Sequence, residues 1–371
     1  MSTDPHLYET PSPSTETIAI SESYDSGFEE IDDDVDMHSI ADSGFNSIDA
    51  VTVASSIYDY QYENGRRFHS YRSGTYAQPD DNEEQDRLNL YHHVWLLMLR
   101  GNLFCAPINP STCKTVLDLG TGTGIWAMDF AGHFENASVL GVDLSPIQPL
   151  YTPPNVTFLV DDVEEYPWSW IGWDWGFEGG EFDYIHCRNL AGSIRDWEAF
   201  ITEIWNHTAP GGWVEFGESD CWLYSEDDSY SRAPNLKRYM ECLIEATNIS
   251  GASLDIWRQI EPALRKLGFV DIQKQKLKVP WSPWPKDPHY KEIGKYSKIT
   301  NESGLASYGV ARFKRFLNMP DDEFQELVSN ARAELVDKSA HLLTDSWKIW
   351  ARKPEVPDYG RFERMSIDSR R

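Results

Sequence analysis

The fold of this chain is decided by the stretch Val116-Leu117-Asp118-Leu119-Gly120-Thr121-Gly122-Thr123-Gly124. A short apolar run of the kind that forms a buried strand ends here in three glycines at a spacing of two, and a helix-forming segment follows directly. Glycine lets the backbone turn tightly at the end of a strand. It also lets a ligand lie against exposed N–H groups near the positive end of the next helix. The stretch therefore predicts a ligand-binding loop, with candidate contacts at Asp118, Gly120, Gly122 and Gly124.

Strands and helices alternate on both sides of this loop. The hydrophobic pattern predicts seven strands, at Lys114–Leu119, Ala137–Asp143, Val156–Val160, Phe182–Cys187, Gly212–Glu218, Phe269–Val279 and Leu342–Arg352. It predicts helices at 81–100, 125–134, 196–207, 233–249, 254–267 and 321–337. Such alternation is typical of an α/β fold with a doubly wound, mostly parallel sheet. We expect segments 220–250 and 280–338 to be insertions that form a helical cap at one end of the sheet.

Acidic residues follow the second and third predicted strands. Asp143 ends the second strand, 23 residues after Gly120. A carboxylate at the tip of that strand in nucleotide-binding α/β folds accepts hydrogen bonds from the ribose hydroxyls. The third strand runs into Asp161-Asp162-Val163-Glu164, where a carboxylate can accept a hydrogen bond from an adenine amino group. The pattern therefore indicates a ligand that carries a nucleoside.

The spacing of the glycines separates this loop from the dinucleotide fingerprint GxGxxG. The sequence is GxGxG with Asp118 two residues before the first glycine, and this resembles motif I of class I S-adenosylmethionine (SAM) methyltransferases. The turn Pro210-Gly211-Gly212 before the fifth strand is a further signature of these enzymes. The wider resemblance is to the fungal LaeA-like (TAM-type) methyltransferases. It runs from about residue 66 to 352 and is carried by Pro79-Asp80, DLGTGTGIWAMDFA, GVDLSPIQP, PPNV and PGGWVE.

The resemblance implies a Rossmann-like class I fold, with a mostly parallel seven-stranded sheet flanked by helices and with SAM as the methyl donor. It implies cofactor contacts for the glycine loop and for further residues at Asp143, Leu144, Asp162, the Val163 N–H, the end of the fourth strand at Arg188, and a lid position at Tyr76. For the namesake branch of the family it implies a nuclear role beside velvet-type protein partners.

Two residues are candidates for a catalytic role, although direct in-line displacement at a methyl sulfonium needs no obligatory base. His92 lies mid-helix beside His93, where it either packs in the core or acts as a base near the acceptor. Glu218 lies at the exit of the fifth strand, where it either faces the acceptor or is a solvated charge at the rim. The two histidines have no partners at metal-ligand spacing, so we expect no metal site.

Four tryptophans, at 168, 170, 173 and 175, occupy an insertion where the resembled family has a short link. They either plug the edge of the sheet or form an aromatic wall of the acceptor pocket.

Charge divides the chain of 371 residues, whose formal net charge is −27. Residues 1–65 hold 15 Asp and Glu and no Lys or Arg, so we expect a disordered acidic tail. It either solvates the chain, docks a partner, or directs regulated turnover through the sequence DSGFNS, which resembles a DSGxxS phosphodegron. The expected methyltransferase domain spans 66–352, with a polar tail at 353–371. Its expected parts are a helical segment at 66–112, a SAM-binding core at 113–280, a helical cap at 281–338 and a closing strand at 342–352.

Composition also limits the function. The acidity disfavours nucleic acid as a partner, and we expect no membrane span and no secretory signal. The five cysteines form no CxxC pair, which favours a cytoplasmic or nuclear protein with reduced thiols. We therefore expect a SAM-dependent methyltransferase with a small-molecule or peptide acceptor, in fungal secondary metabolism or its regulation. The alternative is a SAM-binding regulatory protein that acts through a protein complex.

Overall fold

The computed structural model describes residues 60–72, 74, 77–168 and 180–355. Four predictions therefore fall partly or wholly outside the described residues: most of the acidic tail, the lid residue Tyr76, the tryptophans at 170, 173 and 175, and most of the C-terminal tail.

Seven strands form one sheet, and two short strands precede it. The short strands are β1 (Gln61–Glu63) and β2 (Arg66–Phe68), which pair antiparallel. The strands of the sheet are β3 (Thr115–Leu119), β4 (Ser138–Asp143), β5 (Val156–Val160), β6 (Phe182–Arg188), β7 (Thr208–Ser219), β8 (Val270–Pro280) and β9 (Leu343–Arg352). Their order is β5-β4-β3-β6-β7-β9-β8, and only β9 runs antiparallel to its neighbours. The predicted mostly parallel, seven-stranded α/β fold is confirmed.

Helices connect the strands and extend beyond them. They are α1 (Asn82–Met98), α2 (Ile125–His133), α3 (Trp197–His207), α4 (Pro234–Ile249), α5 (Trp257–Leu267), α6 (Pro288–Leu317) and α7 (Asp321–Val336). Local signals in the sequence set their ends. The Asp81 carboxylate caps α1 by accepting the Glu84 N–H, and Gly268 ends α5 in the left-handed conformation at φ 102°. Within the described part of the chain, no helix is long and apolar enough to cross a membrane.

The sheet is covered on both faces, which explains why its central strands read as continuous apolar runs. In β3, Leu117 and Leu119 pack with residues of α3 and α5 on one face, and Val116 packs with α2 on the other. Trp126 and Phe130 of α2 stack with a ring-centroid distance of 5.1 Å. This burial on both faces fixes the β3 strand and hence the position of the loop that leaves its carboxyl end.

The helical cap has a core of its own. Residues of α4, α6 and α7 share one hydrophobic cluster that does not include the sheet residues of β3 to β6. The Tyr239 hydroxyl of α4 donates a hydrogen bond to the Leu305 carbonyl of α6 at 2.7 Å, and Phe313 of α6 meets Phe324 of α7 edge to face. Two separate segments of the sequence therefore build this hydrophobic cluster together.

The strand β1 lies within residues 1–65, the range predicted to be a disordered acidic tail. The hairpin of β1 and β2 turns at Asn64-Gly65, both of which have positive φ. An Asn-Gly turn with this backbone matches the twist of paired strands. Glu63 also pairs with Arg315 of α6. Composition could not indicate this hairpin, because its two strands are only three residues long each.

Candidate active site

The main cleft opens at the carboxyl ends of β3 to β6 and encloses about 1190 Å³ of space, its open mouth included. Most of the predicted cofactor contacts line it: Asp118, Gly120, Gly122, Asp143, Leu144, Asp162, Val163 and Arg188. Parallel strands bring these residues together because their carboxyl ends meet at one edge of the sheet.

Gly122 and Gly124 differ in what surrounds them, although the sequence presents them alike. Both have left-handed backbone, at φ 58° and 79°. A Cβ atom on Gly122 would meet nothing closer than Leu88 Cδ1 at 3.8 Å, so this position opens into the main cleft. A Cβ atom on Gly124 would lie 2.3 Å from Cζ of Phe158. The structure therefore places Gly124 in close packing against β5, not on the main cleft.

Asp143 joins the end of β4 to the glycine loop. One carboxylate oxygen accepts the Gly122 N–H at 2.8 Å, and the other accepts the Ser145 N–H at 3.0 Å. Burial raises the pKa of this carboxyl, and the two N–H groups oppose that rise. A carboxylate oxygen can accept more than one hydrogen bond, so Asp143 can hold the loop and still accept from a diol.

Asp118 lies at the base of the cleft in a buried polar cluster that the sequence did not reveal. Its carboxyl accepts the Thr121 hydroxyl at 2.7 Å and shares a hydrogen bond with His186 Nδ1 at 2.8 Å. The His186 ring stacks on Trp126 at 3.7 Å between centroids. Burial raises the pKa of Asp118 to about 7 and lowers the pKa of His186 well below its usual range. Asp118 therefore holds the glycine loop through its hydrogen bond with Thr121.

Two acidic residues of the loop after β5 contact the N-terminal segment. Asp162 accepts the Glu164 N–H at 2.8 Å and lies 3.4 Å from Nε of Arg72. Its neighbour Asp161 accepts the Tyr71 hydroxyl at 3.2 Å. Residues 71 and 72 thus reach the end of the cleft at which the sequence predicts the adenine.

Comparison with known proteins agrees with this geometry. A family model described as a methyltransferase domain matches residues 91–274. The methyltransferase pytC of Aspergillus terreus is 38% identical over 304 residues, which are 82% of this chain and 91% of that protein. The secondary metabolism regulator LAE1 of Cochliobolus heterostrophus is 35% identical over 300 residues, 79% of this chain and 94% of that protein. The protein-methionine methyltransferase laeA of Emericella nidulans is 32% identical over 301 residues, 80% of this chain and 77% of that protein.

The chain belongs to the LaeA-like methyltransferase family. This confirms the predicted membership. Members of the family are named both as methyltransferases and as regulators of secondary metabolism.

In this LaeA-like chain His92 is engaged at both ring nitrogens. Arg188 donates to Nδ1 at 3.1 Å, so the proton is on Nε2, which donates to Asp129 at 3.0 Å. The ring is buried, and burial lowers its pKa. His92 lines the main cleft, but with Nδ1 occupied it is placed to orient Arg188 and not to take a proton.

Glu218, the other catalytic candidate, lines a neighbouring space that we call the cap cavity, which encloses about 980 Å³ with its mouth included. Its carboxyl is 1% exposed and accepts the Leu190 and Ala191 N–H groups at 2.9 and 3.1 Å. Burial raises the pKa of Glu218 to about 7. The interpretation as a solvated rim charge is therefore wrong. The main cleft and the cap cavity share five lining residues: Gln78, Arg87, Tyr91, Asn189 and Tyr308.

The remaining candidates lie elsewhere. Trp168 is buried in the sheet core, where its indole N–H donates to the Val163 carbonyl at 2.8 Å, as the plug interpretation expected of it. Across the described ranges, no group of three or more His, Cys, Asp or Glu side chains is arranged to hold a metal ion.

Proposed function

We propose that this protein transfers a methyl group from SAM to an acceptor bound beside the main cleft. The observation that carries the proposal is that the residues expected at the ribose, the adenine and the methionine end of SAM line one cleft. These residues come from four different strand ends, so their convergence depends on the fold and not on sequence proximity.

The residues present fit SAM. The glycine loop leaves an open cradle at Gly122, which any Cβ atom would narrow. Asp143 has lone pairs for the two ribose hydroxyls, and Asp162 with the Val163 N–H would hold the adenine. A backbone carbonyl at the end of β6, near Arg188, would accept a hydrogen bond from the methionine ammonium. When bound, SAM supplies a methyl group on a positively charged sulfur.

The protein's own contribution is to bind, to orient and to exclude water. Fixing donor and acceptor in one geometry removes much of the entropic cost of a bimolecular reaction. The contacts of Tyr71 with Asp161 and of Arg72 with Asp162 close one end of the main cleft. The cap also borders the main cleft, because Tyr308 of α6 lines both the main cleft and the cap cavity.

A second candidate function is regulation, which the names of relatives favour. LAE1 of Cochliobolus heterostrophus is named a regulator of secondary metabolism. In this alternative the chain binds SAM and acts through a protein complex in the cytoplasm or nucleus. The partner would be a velvet-type protein or another regulatory protein that binds the acidic tail. The two functions differ in one observable, which is whether labelled methyl leaves the donor.

Two measurements test the proposal. Calorimetry of the full chain with SAM should show one site per chain, and an absence of binding would contradict both candidate functions. Incubation with methyl-tritiated SAM and a fungal cell extract should then transfer label to the extract. Tight SAM binding with no transfer to either the protein or the small-molecule fraction would favour the regulator.

A further inference from the structure

The cap cavity lies between the carboxyl end of β7 and the inner faces of α4 and α6. Its walls are mostly apolar side chains: Met240, Leu243, Leu254, Val279, Trp281 and Leu305. The cavity encloses about 980 Å³ of space, its open mouth included. Small-molecule sites are likewise concave and mostly apolar, with a few polar groups that fix orientation. An extended peptide would instead need a sheet edge or an open groove.

Charged groups are few in this cavity, and most of them are already paired. Arg87 donates to both carboxylate oxygens of Glu84, at 2.9 and 2.6 Å, so its charge is balanced within α1. Asp220 accepts the Trp222 N–H at 3.1 Å and lies 3.8 Å from Arg258. Among the described residues, the hydrogen-bond partners of Glu218 are two backbone N–H groups. The cavity therefore favours a neutral ligand over an anion.

Glu218 is at the polar end of the cavity, where it meets the main cleft. Asn189, which precedes the two residues that hold Glu218, lines both spaces. A carboxylate with both oxygens fixed by N–H groups keeps further lone pairs, which can accept a hydrogen bond from a ligand O–H or N–H.

A second polar side chain of the cavity lining comes from α6. Ser297 of α6 lines the cavity and is 2% exposed, and its hydroxyl has no hydrogen-bond partner among the residues that the structure describes. Asn301, one turn later on the same helix, lines the cavity as well. A buried hydroxyl without a partner is unfavourable, and a ligand that forms a hydrogen bond with it would relieve that cost.

We propose that the cap cavity binds the methyl acceptor, and that this acceptor is an uncharged, largely apolar small molecule whose hydroxyl or amine donates a hydrogen bond to Glu218 while a second polar group meets Ser297. This proposal rests on the proposed methyl transfer. It adds a substrate class and two recognition residues.

The test uses the full chain loaded with S-adenosylhomocysteine and two fluorescent probes, 2-naphthol and its anionic analogue 2-naphthoate. At about pH 8 a carboxyl with a pKa of about 7 is mostly ionised. We expect 2-naphthol to bind at least about tenfold more tightly than 2-naphthoate. Leu243→Trp should fill the cavity and weaken 2-naphthol by at least about tenfold, whereas SAM affinity stays within about twofold.

The matched control is Ile249→Trp, which adds the same bulk to an exposed position of the same helix. It should alter neither affinity. Glu218→Gln should reduce the difference in binding affinity between 2-naphthol and 2-naphthoate. If that variant fails to fold, Leu243→Trp still decides.

Several results would overturn the proposal while SAM binding persists. They are no binding of 2-naphthol up to about 1 mM, equal binding by wild type and Leu243→Trp, and preference for 2-naphthoate. Label from tritiated SAM that enters only the protein fraction would also overturn it. Loss of SAM binding in the wild type would instead count against the proposed function itself.

Discussion

The Asp143 carboxylate accepts the backbone N–H of Gly122 at 2.8 Å, so the acid at the end of β4 holds the glycine loop at the end of β3. These two strands are paired in parallel, with Asp118 opposite Gly141. The contact therefore ties two neighbouring strand ends across the mouth of the main cleft. A residue that is expected to bind ribose also shapes the loop beside it.

Asp143→Ala should weaken SAM binding at least about tenfold, because each hydrogen bond lost from a charged group costs roughly 1.5–3 kcal/mol. Calorimetry on the folded variant measures this directly. The control is Glu135→Ala, an exposed carboxylate near the opposite end of β4. Equal SAM affinity in Asp143→Ala and wild type would contradict the assignment of Asp143 to the ribose.

Asp118→Asn should become more stable than wild type as the pH rises. The pKa of Asp118 is raised to about 7 in the folded chain, against roughly 3.9 when unfolded. The folded state thus retains a proton that the unfolded state releases, and wild-type stability from this group is lost as pH rises toward 7. An asparagine stays neutral. Its amide can still accept from Thr121 and donate to His186 Nδ1.

The stability difference between Asp118→Asn and wild type should therefore widen by roughly 1.4 kcal/mol per pH unit between about pH 5 and 7, then stay constant. Denaturant unfolding at several pH values provides the measurement. A difference that does not vary with pH would mean that Asp118 is ionised throughout this range.

Two truncations locate the start of the folded chain. Removing residues 1–59 should leave the melting temperature nearly unchanged, as their acidic, apolar-poor composition predicts. Removing residues 1–65 also deletes β1 and the Glu63–Arg315 ion pair, and should lower the melting temperature by a few degrees. Identical melting of the two truncated proteins would show that the hairpin contributes nothing to stability.

Local pattern sufficed for the central strands β3 and β4, because burial on both faces makes each of them a bounded apolar run. It also placed Asp143 and Asp162 at strand ends. It could not pair Asp118 with His186, which is 68 residues away and meets it only through the parallel register of β3 and β6. Nor could it join Glu218 to the Leu190 and Ala191 N–H groups, since a loop conformation creates that contact. The pairing of Arg72 with Asp162 likewise depends on how the N-terminal segment folds back.

The last prediction concerns Trp168, the one clustered tryptophan within the described residues. Its ring meets Phe200 edge to face, and its N–H donates to the Val163 carbonyl beside the predicted adenine site. Trp168→Ala should cost about 3–5 kcal/mol and lower the melting temperature by roughly 5–15 °C. Trp168→Phe should retain much of that stability, because it keeps an aromatic ring against Phe200. Both variants lose the hydrogen bond to Val163, so both should bind SAM more weakly.

Trp222→Ala, which removes a half-exposed indole, is the control and should change little. A wild-type melting temperature for Trp168→Ala would mean that Trp168 is not part of the core.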